Sequence, residues 1–177
     1  MRKHIFINMI RLKQLLREIT MGNMAPYATQ FAWQSAGSGY DTLVPCDGIS
    51  VKFSLSWNWS AEGNEYAFAI ATPSSQPGSG YTMSHGHNTT GGQLSYLRVL
   101  ATAAEAIVDF CAQHSPQAID VTGFDPSRTK DLQKTRIYRG LMYANKNRIQ
   151  QAGYRILDSN GKLWLVRVSD ADATGTR

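Results

Sequence analysis

Residues 88–154 decide how this chain is read: Asn88-Thr-Thr-Gly-Gly-Gln93, an apolar-striped run to His114, the segment Ala118-Ile-Asp-Val-Thr122, then a basic run through Arg136-Ile-Tyr138 to Gly153-Tyr154. From Gln93 onward Leu94, Leu97, Leu100, Ala101, Ala104, Ile107, Val108 and Cys111 recur at helical spacing, which predicts one apolar stripe on a helix ending near His114. Pro116 lies just beyond, where it cannot continue the helix. Ala118–Phe124 predicts a short buried strand. Ile137, Tyr138, Leu141, Met142, Asn145 and Ile149 then share one face of a second helix, and Gly153 supplies the left-handed residue that ends it.

On the N-terminal side of this stretch the period changes from 3.6 to 2. Ile49, Val51, Phe53, Leu55, Trp57 and Trp59 alternate with Ser50, Lys52, Ser54, Ser56 and Asn58, so residues 49–59 predict a strand with one apolar and one polar face. Glu65–Ala71 predicts its hairpin partner across Ser60-Ala-Glu-Gly-Asn64. Gly39–Pro45 predicts a preceding strand, turned by Cys46-Asp-Gly48, which completes a three-stranded meander. Residues 73–92, rich in Gly, Ser and Thr, read as a surface loop with a short extended piece at Tyr81-Thr-Met83. On the C-terminal side Lys162–Val168 predicts a closing strand, with Leu163, Leu165 and Arg167 on one face and Trp164, Val166 and Val168 on the other. The last nine residues hold no large apolar side chain and read as a tail.

The whole chain, 177 residues with a 42% apolar content, is long enough for one domain with a sizeable core. No apolar run approaches the roughly 20 residues that span a bilayer. Arg11, Lys13 and Arg17 interrupt the apolar residues of the first 20, so no signal-peptide core is expected. Cys46 and Cys111 are too few for a disulfide framework and fit a reducing, intracellular setting. The net charge of +5 is unevenly laid out: residues 21–125 carry two Lys/Arg against eight Asp/Glu, and residues 126–177 carry eleven against four. Such a basic third is either a solvated face or one able to meet phosphate. Residues 9–20 place apolar side chains at 9, 12, 15, 16 and 19, a basic amphipathic helix, and Met21-Gly-Asn-Met-Ala-Pro26 reads as the linker after it. The expected organisation is a helix and linker over 1–24, a single domain over 25–168 and a tail over 169–177.

The chemistry concentrates at the start of the central helix. Glycines there let a ligand approach the backbone, and the first N–H groups and the helix dipole favour an anion. Thr90, Gly91, Gly92 and Gln93 are the candidate anion-binding residues; the alternative is a hinge in which Thr90 merely caps the helix. No Gly-Lys-Ser/Thr triplet is present, which excludes a P-loop. His85 and His87 lack a neighbouring Cys or carboxylate that would complete a metal site.

Three strands, helix, strand, helix, strand is an order that resembles the GCN5-related N-acetyltransferase (GNAT) fold, and residues 88–154 carry the likeness. The family's loop is Gln/Arg-x-x-Gly-x-Gly/Ala, where this chain has Thr89-Thr-Gly-Gly-Gln93; Thr135-Arg-Ile-Tyr138 loosely matches its Ala-x-x-Leu-Tyr motif. The Gly-Phe that follows shortly in the family corresponds to Gly153-Tyr154, which lies farther along and implies a longer helix. The resemblance implies an α+β domain with a mixed central sheet, acetyl-CoA as cofactor with its pyrophosphate at the central helix, and acyl transfer to an amine acceptor. It also implies Tyr138 as catalytic proton donor to the departing thiolate, a role open to a phenol within hydrogen-bond reach. The alternative for Tyr138 is a core residue with a wet hydroxyl. Glu62, Glu65 and Asp120 are the carboxylates considered as a general base, and none stands out.

The same residues are similar to acetyltransferase-like proteins of tailed bacteriophages. Leu12-Lys-Gln-Leu-Leu-Arg-Glu18 resembles the capsid-targeting leaders of phage internal head proteins, cut after a site like Leu16-Arg-Glu18; the alternative is an ordinary helix packed on the sheet. That likeness implies phage head components as partners and a place in host cytoplasm or the virion. A non-catalytic binding protein on the same fold is the second function expected. Its nucleic-acid version would use the basic residues of 128–155, where Arg136, Arg139, Lys146 and Arg148 interleave with Tyr138, Tyr143 and Tyr154.

Overall fold

The computed structural model describes residues 25–57, 64–73, 80–83, 96–122 and 131–169. The predicted amphipathic segment over 1–24 and the tail beyond Ser169 lie outside them. The alternating segment forms β3 (Ile49–Trp57), antiparallel to β2 (Gly39–Cys46) on one side and β4 (Glu65–Pro73) on the other. Val51, Phe53 and Leu55 are fully buried on one face, whereas Lys52 and Ser54 point away from it. Register carries that face across the meander, because Leu55 pairs with Tyr40 and Phe68 while Phe53 pairs with Thr42 and Ile70. Trp57 departs from the expectation. It is 49% exposed, with its ring stacked on that of its cross-strand partner Tyr66, the centroids being 6.4 Å apart.

A short strand, β1 (Gln34–Ala36), extends the meander beyond β2, and β5 (Tyr81–Met83) confirms the extended piece expected in the loop. From β4 the chain passes to helix α1 (Tyr96–His114) and returns as β6 (Ala118–Asp120), parallel to β4. Helices α2 (Asp131–Ala144) and α3 (Lys146–Gln151) follow, then β7 (Tyr154–Ser159) and β8 (Lys162–Arg167). The sheet runs β1-β2-β3-β4-β6-β8-β7, with β5 beside β4 off this path. It is mixed and mostly antiparallel, and the domain is α+β.

Strand β7 was not expected from the sequence. Its turn to β8 is Asn160-Gly161, with φ of 53° and 77°, the left-handed pair that a two-residue hairpin requires. The second helix also differs from a continuous one. At Asn145 the backbone N–H is shared between Leu141 O and Met142 O, and the side-chain Nδ2 donates to Leu141 O at 3.0 Å. This separates α2 from α3 by one residue while Leu141, Met142 and Ile149 stay buried on the expected face. Gly153, at φ 85°, ends the pair as predicted.

Helix α1 is buried over a wider arc than its one predicted stripe. Leu100, Ala104, Ile107 and Cys111 are buried as expected, and so are Val99, Ala103, Ala106 and Phe110. The extra cover includes residues 25–33, laid along the helix. Tyr27 N–H donates to Thr102 Oγ1 at 2.8 Å, Arg98 Nε donates to Ala25 O at 3.0 Å, and Trp33 Nε1 donates to Asp109 Oδ2 at 3.0 Å. Phe31 is buried beneath, and Trp33 meets Phe110 edge-on at 5.0 Å. The buried side chains of all three described helices join one cluster with one face of the sheet. The other face carries no helix among the described residues.

Candidate functional site

The parallel pair β4 and β6, joined through α1, brings the start of α1 to the carboxyl ends of both strands. In open α/β sheets that is where ligands enter. The edge of β4 that faces β6 is divided. Glu65, Tyr66 and Ala67 pair with β6, Ala71, Thr72 and Pro73 pair with β5, and among the described residues no strand pairs with that edge at Phe68–Ile70. A backbone edge left open between two paired stretches can accept a hydrogen-bonding ligand.

Thr72 stands at the end of this gap, on the same face as Phe68 and Ile70. It is 3% exposed and its Oγ1 has no hydrogen-bond partner among the described residues. A buried hydroxyl left unpaired costs about 1–3 kcal/mol, so a ligand group that satisfied it would gain. Arg98, on the first described turn of α1, is committed elsewhere: it pairs with Asp47 at 3.7 Å and lies over the Tyr27 ring at 3.8 Å. Tyr27 Oη donates to the same Asp47 carboxylate. The charge nearest the described start of α1 is therefore used to fasten the 25–33 segment.

Of the residues predicted for the site, Thr90, Gly91, Gly92 and Gln93 lie outside the described residues, as do His85, His87 and Glu62. Tyr138 is described. It belongs to the cluster shared by helices and sheet, 7% exposed, about 11 Å along α2 from its first residue at the 1.5 Å rise of a helix. Because β6 and β7 both run antiparallel to β8, α2 and α3 form a second crossover between parallel-running strands. The start of α2 consequently comes to the same end of the sheet as the start of α1.

Of the remaining polar candidates, Asp120 ends β6 at the rim of this crevice, paired with Ala67 beside the open edge, and His114 lies apart from it. Asp120 accepts the Thr122 N–H at 2.8 Å, and Thr122 Oγ1 in turn accepts the Leu163 N–H at 2.8 Å, tying β6 to β8. His114 sits at the far end of α1, its ring 4.3 Å from Tyr40 and 4.5 Å from Phe110, with Nε2 unpartnered. No group of three His, Cys, Asp or Glu suited to a metal ion occurs among the described residues. Both cysteines are free and buried. Burial, helped by the Asp47 charge, pushes the Cys46 thiol up to about 11, and burial pushes Cys111 up to about 12. Neither is a ready nucleophile at neutral pH.

On the helix-free face lies a hollow of about 730 Å³, lined among others by Glu65, Ala118, Leu157, Trp164, Val166 and Arg167. The basic interface expected from the sequence spans residues 128–155, whose described part is α2, α3 and the start of β7. There Arg139 is held by Asp158 at 2.5 and 2.9 Å, and Arg148 is held by both oxygens of Glu105, one at 2.7 Å. Tyr154 is buried and donates to Pro116 O at 2.7 Å, so it offers no ring to solvent; Tyr143 is exposed as expected. Of the missed residues, only the hairpin carrying Trp164 had a readable signal, the Asn160-Gly161 dipeptide.

No helix among the described residues is long and apolar enough to cross a membrane. Comparison with protein-family models, with curated proteins and with solved structures finds no match.

Proposed function

We propose that the domain is a GNAT-like acyltransferase that takes an acyl group from acetyl-CoA and passes it to an amine. The observation that carries this reading is the β4–α1–β6 crossover with its interrupted strand edge, which aims a helix start at a gap between parallel strands. The residues present suit such a ligand. Thr72 offers an unpaired hydroxyl at the gap, and the open edge at Phe68–Ile70 offers backbone groups to an amide-bearing arm. Thr90, Gly91, Gly92 and Gln93 would hold the pyrophosphate through backbone N–H groups. The cofactor, when bound, supplies an activated thioester.

Tyr138 would donate its proton to the sulfur as the carbon–sulfur bond breaks. Its place in the helix layer excludes bulk water, which strengthens that hydrogen bond. Phage origin, head components as partners and a location in host cytoplasm or virion belong to the same proposal, on the likeness of residues 12–18 to packaged leaders.

Calorimetric titration with acetyl-CoA tests the reading directly. We expect saturable heat at sub-millimolar ligand, weakened at least tenfold by Gly91→Ala combined with Gly92→Ala, and no heat at millimolar ligand would end the proposal. Tyr138→Phe should bind acetyl-CoA as the wild type does. It should lower kcat by about 10²-fold, the lower range for a general acid. An unchanged kcat would leave Tyr138 a core residue.

A further inference from the structure

The described cations divide into two sets. Lys52, Arg98, Arg139 and Arg148 each meet a carboxylate, on Asp41, Asp47, Asp158 and Glu105. Lys146, Arg155, Lys162 and Arg167 have no ion-pair partner among the described residues. Two of these charges, Arg155 and Lys162, lie on one face of one hairpin, β7–β8.

Register fixes how they sit. Arg155 pairs with Val166, Leu157 with Trp164, and Ser159 with Lys162, and all of these side chains fall on the helix-free face. Trp164 therefore stands midway between Arg155 and Lys162, two residues or about 7 Å from the row of each. Leu157, 46% exposed, lies beside the indole, whereas Arg167 pairs with Tyr154 and falls with Leu163 and Leu165 on the covered face. Two carboxylates, Glu65 and Asp120, share this face. Glu65 stands two strands from Val166, about 10 Å away, near the screening length at physiological salt. Asp120 stands directly opposite Trp164 on β6, in the row of the indole and not in the rows of Arg155 and Lys162, and its Oδ1 accepts the Thr122 N–H.

We propose that this face of the β7–β8 hairpin is a docking surface for single-stranded nucleic acid, with Trp164 as the platform for a base and Arg155 and Lys162 as the phosphate contacts. An aromatic with a cation on either side along the strand matches a base with a phosphate on either side. Stacking on an open ring requires an unpaired base, which a duplex does not present. The surface is on the opposite side of the sheet from the helices, so the proposal holds whether or not the crevice binds acetyl-CoA.

Fluorescence anisotropy of a labelled 15-nucleotide oligo-dT with the full chain, between 50 and 200 mM salt, tests it. We expect affinity that falls as salt rises, and a log–log slope that Arg155→Gln and Lys162→Gln together make shallower by about 1.4, at roughly 0.7 per phosphate contact. Trp164→Leu should weaken binding about 5- to 150-fold at every salt concentration with the slope unchanged. Lys52→Gln, a paired cation off the hairpin, should change nothing. Wild-type binding by the double variant or by Trp164→Leu would overturn the proposal. So would no binding at 50 mM salt, equal affinity for a duplex of the same length, or a salt slope abolished by Arg11→Gln, Lys13→Gln and Arg17→Gln alone. Matching thermal unfolding curves keep a misfolded variant from being scored.

Discussion

The two faces of the sheet are built from different chemistry although they share every strand. The helix-covered face presents Val51, Phe53, Leu55, Tyr66, Phe68, Leu163 and Leu165, nearly all fully buried against α1, α2 and the 25–33 segment. The opposite face presents Ser, Lys and Ala over β3 and β4 with Leu43 and Tyr81 exposed nearby, and Arg155, Leu157, Lys162 and Trp164 at β7 and β8. An antiparallel meander tolerates a solvated face, whereas a parallel pair is ordinarily covered on both. Stability should therefore reside on one face, and the other is free to carry recognition.

The largest expected effect tests that division. Phe110 lies at the centre of the covered side, edge-on to Trp33, Tyr40 and Tyr66 at 5.0–5.5 Å. Phe110→Ala should cost about 3–5 kcal/mol in denaturant unfolding, from lost transfer energy plus the cavity. Ser54→Ala, on the other face, should stay within about 0.5 kcal/mol. Similar costs at both sites would mean that the second face is covered as well.

Alkaline pH gives a second separation, since both buried thiols belong to the covered face or its helix. Their folded-state values are raised above those of the unfolded chain, so the stability they contribute is complete below about pH 9. It is lost as pH rises toward about 11 for Cys46 and about 12 for Cys111. Each thiol should lower stability by about 1.4 kcal/mol per pH unit within its window. Cys111→Ala should flatten the profile of denaturation midpoint against pH above 9, and an unchanged slope would place the pH dependence elsewhere.

Tyr154 joins the two ends of the C-terminal half. Its hydroxyl donates to Pro116 O, just after α1, from the first residue of β7, beside the Cys111 thiol. Tyr154→Phe keeps the ring and removes the donor, leaving a buried carbonyl unpaired, and should cost about 1–3 kcal/mol. The loss should shrink when Cys111→Ala is already present, because groups in one network do not add.

Much of this architecture was legible because period and punctuation agreed. Residues 49–57 alternate cleanly, and Cys46-Asp47-Gly48 turns them with φ of 48° and 83° at Asp47 and Gly48. The hairpin at Asn160-Gly161 has the same turn form but was missed, since β7 breaks the alternation at its second half. Leu157 points to solvent, and Asp158 falls on the covered side where Arg139 receives it. Residues 25–33 were unreadable for another reason. Their bonds to Thr102 and Asp109 reach across more than seventy residues, and no local pattern encodes so distant a partner. At the candidate site, the glycine turn could be read as an anion cradle, whereas the orphaned Thr72 hydroxyl follows only from strand pairing.

The smallest effect concerns the hairpin that carries recognition. Gly161 holds the second left-handed position of its turn, and a Cβ there is disfavoured by roughly 1–2 kcal/mol. Gly161→Ala should thus cost about that much in stability while leaving the cluster around Phe110 intact. Its effect on oligonucleotide affinity should be disproportionate, because Trp164 and Arg155 hold their spacing only through the β7–β8 register that this turn sets. If stability drops and affinity does not, the nucleic acid is meeting charge alone. If both fall together, the hairpin is acting as a shaped surface, and the division between a stabilising face and a recognising face holds at its weakest joint.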